Sequence, residues 1–341
     1  MLKDFNHIQT AHCENGITTS LLKYHGIDYM NEPLAFGIGS GLFYIHIPFM
    51  KLNNGPAIAF RTMPGAVFKR TCKSLGIDVK SKKFKDHRVA MDFLDLKLSE
   101  GIPVACQVGA FHLAYFPVEY RFHFNAHNII VYGKDNDNYF ISDPIMEKVT
   151  TLSSKELEKA RFTQGIYAPK GHIYYPENVG KPDIKLLEKG IIKGIKRNVR
   201  DMLHVPGYIA GVRGIKYTSN QIRKWREKLG TRKASFYLGQ IVRMQEEIGT
   251  GGGGFRYIYA AFLEQATDYL KEDKLIGISE DFTKAGDLWR SAAVQMAGIY
   301  KGRLSEQKDF EETADILLEI SKTEKVAFNK LSKLKLNRIY Q

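Results

Sequence analysis

The sequence predicts two units of different class, an α+β unit built on an antiparallel sheet followed by a mostly α-helical unit. The 341-residue length exceeds one average domain and suits two, each with a core of its own. Short β-rich runs between residues 103 and 142 are separated by turn residues and not by helices, which predicts a meander in place of a βαβ alternation. After Pro176 the strand signals largely vanish and helical apolar spacing takes over.

Taken in order, residues 15–24 predict a short helix with Ile17, Leu21 and Leu22 on one side and Gly26 as its stop, so Cys13 stands at or just before a helix N-terminus. Residues 35–44 alternate small and apolar side chains and predict a packed loop leading to a strand near 43–47. An amphipathic helix is expected over 89–100, closed by Gly101. Strands follow over 103–108, 113–116, 128–133 and 139–142, the last two joined by Lys134-Asp-Asn-Asp-Asn138. A helix over 153–160, capped by Ser153 or Ser154, and a strand over 172–175 complete the first unit, placed at residues 1–177. The run from Pro176 to Pro182 carries the breaker residues of a connection, and helices near 184–202, 219–229, 234–247, 255–270, 280–300 and 310–334 make up the second unit, residues 184–341.

The formal net charge is +13, and the excess is concentrated between Lys181 and Lys233. A field of that sign suits a solvated basic face or an acidic partner: nucleic acid, anionic lipid, a phosphate-bearing substrate or an acidic carrier protein. The stretch lacks a nucleic-acid recognition motif, which argues against the first. No apolar run reaches the roughly 18 residues of a spanning helix, and Met-Leu-Lys-Asp-Phe-Asn-His lacks the apolar core of a secretory signal, so a cytoplasmic protein without a membrane partner is expected. Cys13, Cys72 and Cys106 form an odd set without CxxC spacing, which suits neither a disulfide framework nor a four-ligand zinc site.

A helix N-terminus favours a thiolate by aiming unpaired N–H groups at the sulfur, and of the three cysteines Cys13 has that placement. Cys72 lies in a basic polar stretch and Cys106 inside an apolar strand pattern, where a cysteine serves as a small core residue. His127 opens one strand of the expected hairpin and Asp143 closes the other, so antiparallel pairing makes them neighbours. A carboxylate on one imidazole nitrogen holds the tautomer that takes a proton at the other. His12 points away from its neighbour Cys13 in extended chain and is read as structural. His123 and His127 would be roughly 13 Å apart on a strand, too far for a zinc pair, and no metal or other cofactor is expected. The run Gly249-Thr-Gly-Gly-Gly-Gly254 reads either as a tight turn or as a substrate-facing, phosphate-cradling loop through residues such as Gly251 and Gly252; it lacks the Gly-Lys-Ser/Thr ending of a nucleotide-hydrolysing loop. Glu246, Glu247 and Arg256 flank it as candidate ligands of a charged substrate.

His12-Cys13-Glu-Asn-Gly before a helix, Gly37-Ile-Gly-Ser-Gly41, His127-Asn-Ile-Ile-Val-Tyr-Gly133 and Tyr139-Phe-Ile-Ser-Asp-Pro144 together resemble the N-terminal domain of the butirosin biosynthesis protein H family. Glu246-Glu-Ile-Gly-Thr-Gly-Gly-Gly-Gly-Phe-Arg256, Phe262-Leu-Glu and Trp289 resemble the domain of unassigned function that accompanies it. The resemblance implies a papain-like fold with Cys13, His127 and Asp143 as catalytic triad, and acyl transfer from a carrier-protein thioester to an amine of a small-molecule acceptor. The same triad with water as acceptor implies a peptidase, amidase or thioesterase, and a chain that has lost activity implies a binding module. Papain-like enzymes place an oxyanion-stabilising glutamine about six residues before the cysteine, whereas Gln9 is four before Cys13. The oxyanion donor is therefore open among Gln9, Asn15 and the Cys13 backbone N–H. The acyl group, the acceptor and the oligomeric state are not legible.

Overall fold

The computed structural model describes residues 5–52, 54–180 and 183–336, so Lys181 and Pro182 of the expected connection lie outside the described residues. The chain divides into two compact units: one is formed by the chain up to Ala35 together with Val67–Leu187, the other by Phe36–Ala66 with the chain from Glu188 onward. This corrects the expected contiguous division into residues 1–177 and 184–341, because the segment 36–66 belongs with the helices.

The first unit is α+β. Its sheet is antiparallel, with strands β3 (Asp78–Lys82), β4 (Val104–Val108), β5 (His127–Asp135), β6 (Asn138–Ser142), β7 (Thr150–Ser153) and β8 (Ile173–Glu177) in the spatial order β3-β8-β4-β5-β6-β7. The expected meander is thus present from β4 to β7. Helices α4 (His87–Ser99) and α5 (Ser154–Arg161) bury Ala90, Leu94, Leu98, Leu157 and Ala160 against Cys106, Val108, Ile129, Val131 and Ile141 on one face. Side chains alternate along a strand, so Asn128 and Ile130 project to the other side, where α1 (Cys13–Tyr24) packs against β5 and β8.

Caps define these helices. Ser153 and Glu156 form a reciprocal capping box at the start of α5, and Asp86 accepts from Val89 N at 2.9 Å to start α4. The fully buried Glu14 carboxylate accepts from Val67 N and Phe68 N at 2.8 and 3.2 Å, placing an anion on the N-terminus of α3 (Ala66–Ser74). The strand expected over 113–116 is not formed. Those residues follow a single 3₁₀ turn at Ala110–His112 and remain a turn, with Leu113 and Phe116 buried as core contacts.

The second unit holds a β-hairpin and helices. Strands β1 (Leu42–Leu52) and β2 (Gly55–Arg61) pair antiparallel, and β1 is tied to the helical segment by Asn198 Nδ2 donating to Leu42 O at 2.6 Å and by His46 N donating to Ile209 O at 2.9 Å. These bonds satisfy backbone groups of the hairpin within this unit, which is the physical reason that it leaves the sequence-contiguous first unit. The residues expected as a loop over 35–44 instead end helix α2 (Glu32–Ile38) and begin β1. The helices are α6 (Ile184–Leu203), α7 (Gly211–Leu229), α8 (Thr231–Val242), α9 (Arg256–Leu270), α10 (Lys274–Tyr300) and α11 (Gln307–Lys333). Their core is centred on Trp289, Phe282, Tyr259 and Phe328. Among the described residues no helix is long and apolar enough to cross a membrane.

Candidate active site

Cys13 is the first residue of α1, where an amide lacks an intrahelical carbonyl to donate to and the helix presents its positive end. The preceding residue, His12, is a helix cap: its Nδ1 accepts from Asn15 N at 3.3 Å. The chain entering the helix is held by Glu32, whose two carboxylate oxygens accept from Ala11 N at 2.9 Å and His12 N at 2.8 Å. Cys13 is 7% exposed. Cys72 and Cys106 are fully enclosed, and burial pushes the Cys72 thiol up to about 12 and raises Cys106 as well, which leaves them as core residues.

His127 and Asp143 come together as the hairpin predicts. His127 Nε2 lies 2.8 Å from Asp143 Oδ2, and both residues are buried. Their shared face depends on one residue of register. The hairpin turns through Asn136 and Asp137, with Asn136 at φ 52°, and pairs Asp135 with Asn138. That register, continued, would place Asp143 opposite Ile130, on the α1 side. A β-bulge at Tyr132 advances β5 by one residue, so Ile130 faces Ser142 and the next position sets Asp143 against Ile129, on the side from which His127 also projects.

Asp143 is fully buried and surrounded by donors: the Tyr115 hydroxyl donates to Oδ2 at 2.8 Å and Ile145 N to Oδ1 at 3.2 Å, beside the His127 contact. Burial and the adjoining carboxylate raise the Tyr115 hydroxyl well above its ordinary range, so it stays a donor. Phe116 packs edge-on against the His127 ring at 5.3 Å between centroids. For His127, burial opposes the charged form. The charges of Asp143 and of the Cys13 thiolate, with the hydrogen bond each makes to the imidazole, outweigh that burial and push the pKa up from 6.5 to about 10. Since Nε2 faces Asp143, Nδ1 is the nitrogen left for the sulfur. The arrangement is that of a nucleophile paired with an acid–base group which is itself oriented by a carboxylate.

Sequence reasoning did not single out Asn128. Its Nδ2 donates to Cys13 Sγ at 3.8 Å and to Ala126 O at 3.0 Å, and its Oδ1 accepts from the Tyr174 hydroxyl at 2.8 Å. The one available signal was that it adjoins His127. Of the expected oxyanion donors, Gln9 lies exposed on the segment before α1. Asn15 is corrected as a side-chain donor: its Nδ2 is turned to Glu32 Oε1 at 3.3 Å, drawn by the carboxylate that also holds the chain at Ala11 and His12.

The residues expected around the glycine-rich run lie in the second unit, in a constellation of their own. Arg256 is corrected as a substrate ligand: it is fully buried, with Nε and Nη2 on the two Glu324 oxygens at 2.8 and 3.0 Å and Nη1 on Gly254 O at 2.6 Å. The phosphate-cradling reading of Gly252 is corrected as well. Gly252 N donates to Thr250 Oγ1 at 3.1 Å and Gly253 N to Glu246 Oε1 at 3.1 Å, so a carboxylate of the chain itself occupies the place an anion would take. Glu246 serves as an internal acceptor in the π-turn Arg243–Glu247 and not as a ligand, while Glu247 and Gly251 are exposed. Gly253 abuts Gly286, where a Cβ would lie 2.9 Å from the Gly286 Cα, so the run is a close-packed turn. Among the described residues no cluster of three or more potential metal ligands is present.

Residues 12–144 match the family described as butirosin biosynthesis protein H, N-terminal, a span that begins beside Cys13 and ends just after Asp143. Residues 155–331, more than half of the chain, match a domain of unknown function, DUF4872. Among solved structures the chain is similar to a crystal structure from Bacillus anthracis described as a C39-like peptidase, at 17% identity and a TM-score of 0.37, covering 53% of this chain and 98% of that one. A likeness that distant bears on neither activity nor substrate. No curated protein matches the chain. The chain belongs to the butirosin biosynthesis protein H family, with Cys13, His127 and Asp143 in its N-terminal domain and a DUF4872 domain following.

Proposed function

We propose that the chain is a cysteine-dependent acyltransferase that moves an acyl group from a carrier-protein or other thioester to an amine or hydroxyl of a small acceptor in a biosynthetic route. The observation that carries the reading is the buried sequence of contacts from Cys13 through His127 to Asp143, found in a family named for butirosin biosynthesis. In the first half-reaction the Cys13 thiolate adds to the thioester carbonyl carbon. The tetrahedral adduct collapses by breaking the donor's C–S bond, and the departing thiolate takes the proton of the His127 imidazolium. In the second half-reaction the acceptor adds to the acyl-enzyme carbonyl, His127 takes its proton, and Cys13 leaves as thiolate. Asp143 holds the ring orientation throughout. The basic stretch through α6 and α7 supports an acidic carrier protein, or the phosphate of its prosthetic arm, as donor.

The test is intact-mass detection of an acyl adduct on Cys13 after incubation with an acyl thioester, followed by a chase with amines or with buffer alone. Discharge by amines much faster than by buffer supports transfer, and equal discharge makes the chain a hydrolase. Undiminished transfer by Cys13→Ala refutes the mechanism. A Cys13 alkylated by iodoacetamide no faster than Cys72 at neutral pH makes it a binding module.

A further inference from the structure

We infer that the Asn128 side-chain amide, oriented by Tyr174, is the oxyanion donor of this site, partnering the Cys13 backbone N–H; the inference rests on the cysteine-nucleophile reading above. The side-chain donors that the sequence offered do not meet the requirement: Gln9 is exposed, and the Asn15 amide faces Glu32. Asn128 does meet it. Its Nδ2 is 3.8 Å from the sulfur, within the range from which one N–H reaches an oxygen on a carbon newly bonded to that sulfur. The orientation of the amide is determined by its partners. Ala126 O accepts only, so it must face the NH₂ group, and the Tyr174 hydroxyl donates to the opposite end at 2.8 Å. Asn128 and Tyr174 are both buried, so the amide is preorganised with little water to compete for it. One N–H is held by Ala126 O, and the other points at Sγ. When the thiolate adds to a carbonyl, the C–S bond forms, the carbonyl π pair moves onto oxygen, and the negative charge passes from the sulfur to that oxygen. The N–H that faced the sulfur then follows the charge to the oxyanion, beside the backbone N–H at the helix start.

Acylation builds an oxyanion, whereas alkylation of the same thiolate does not, and the two rates separate this role from holding the thiolate or the fold. The full-length chain is treated with p-nitrophenyl acetate, with release of p-nitrophenolate and the mass of the Cys13 adduct as readouts, and in parallel with iodoacetamide. Asn128→Ala is expected to slow acylation by about 10²-fold, within the range for loss of one oxyanion donor, and to change the alkylation rate by no more than about threefold, because the N–H contact it removes from the resting sulfur is long, at 3.8 Å. Tyr174→Phe, which loosens the amide without removing it, is expected to slow acylation about tenfold with alkylation again unchanged; it decides the matter if Asn128→Ala does not fold. Equal slowing of acylation and alkylation, or unchanged acylation in the variants, overturns the inference while leaving the nucleophile reading intact. A wild-type chain that is not acylated at Cys13 overturns both.

Discussion

Replacing Asp143 by Asn changes one charge at nearly constant volume and so isolates what the carboxylate does to His127. In the native site three donors converge on Asp143: the Tyr115 hydroxyl and His127 Nε2 on Oδ2, and Ile145 N on Oδ1. An amide can accept at one end only. With its oxygen toward His127, its NH₂ meets Ile145 N, and with its NH₂ toward His127, the imidazole must move its proton to Nδ1 and can no longer serve Cys13 as base. The charges and hydrogen bonds of Asp143 and Cys13 outweigh burial and raise the His127 pKa from 6.5 to about 10, in favour of the imidazolium. Asp143 is the foremost of the groups that favour the imidazolium, and its loss is expected to slow acylation on the order of 10²-fold, the low end of what a positioned acid–base group supplies. A forced change of tautomer takes the loss toward about 10⁴-fold. The assay is kcat/KM for acylation of Cys13 by a thioester, measured from pH 5 to 11. In wild type the imidazolium persists until the pH passes about 10, which places the alkaline limb of the profile there, where the departing thiolate loses its proton donor. In Asp143→Asn the raised pKa relaxes and the limb moves to lower pH. An unmoved limb with a rate within threefold of wild type would refute the role given to Asp143.

Two further outcomes concern the second unit. Glu324 is fully buried and its carboxylate accepts from Arg256 and from Trp289 Nε1, the latter at 2.8 Å, so Glu324→Ala leaves a guanidinium and an indole N–H buried without their acceptor. Urea unfolding should show a loss of about 3–5 kcal/mol, largely recovered when Arg256→Met is added; a loss below about 1 kcal/mol would contradict the buried pairing. Burial lowers the pKa of His46, which is 4% exposed, from 6.5 to about 4. The unfolded chain therefore takes up a proton below pH 6.5 that the folded chain refuses until about 4, so stability declines as pH falls through this window, by up to about 3 kcal/mol from this one group. The His46→Gln chain should lose about one proton of that pH slope, and an equal slope in both chains would count against the assignment.

Much of this architecture is legible along the chain because long elements repeat their period many times. The helices over 184–203 and 307–333 and the hairpin over 127–142 each announce themselves by apolar spacing or by turn residues. The start of α1 is equally plain, since the helical spacing after Cys13 and the stop at Gly26 bound it from both sides. Short elements carry too few periods. The seven-residue α2 lies where alternating small and apolar residues spell a loop, no local pattern marks the β1–β2 pairing or the nine-residue α3, and the apolar residues at 113–116 imitate a strand while packing as a turn. Positions such as Arg256 and Glu246 show a different limit. A charged residue beside a glycine run reads as a ligand, and only the placement of Glu324, 68 residues away in the chain, reveals a buried internal pair.

The same division runs through the candidate site. By itself the sequence determined that a cysteine begins a helix and that a histidine and an aspartate stand at the two ends of one hairpin, because both statements follow from local periodicity and a turn. Tertiary structure decided which side of the sheet the aspartate faces, since the bulge at Tyr132 shifts the register by one residue and each such step inverts every side chain beyond it. It also decided that Asn128, pointing to the α1 side next to His127, meets the sulfur while Tyr174 from another strand aligns its amide. A contact between a helix start and two strands far apart in sequence depends on packing, and no local pattern encodes it.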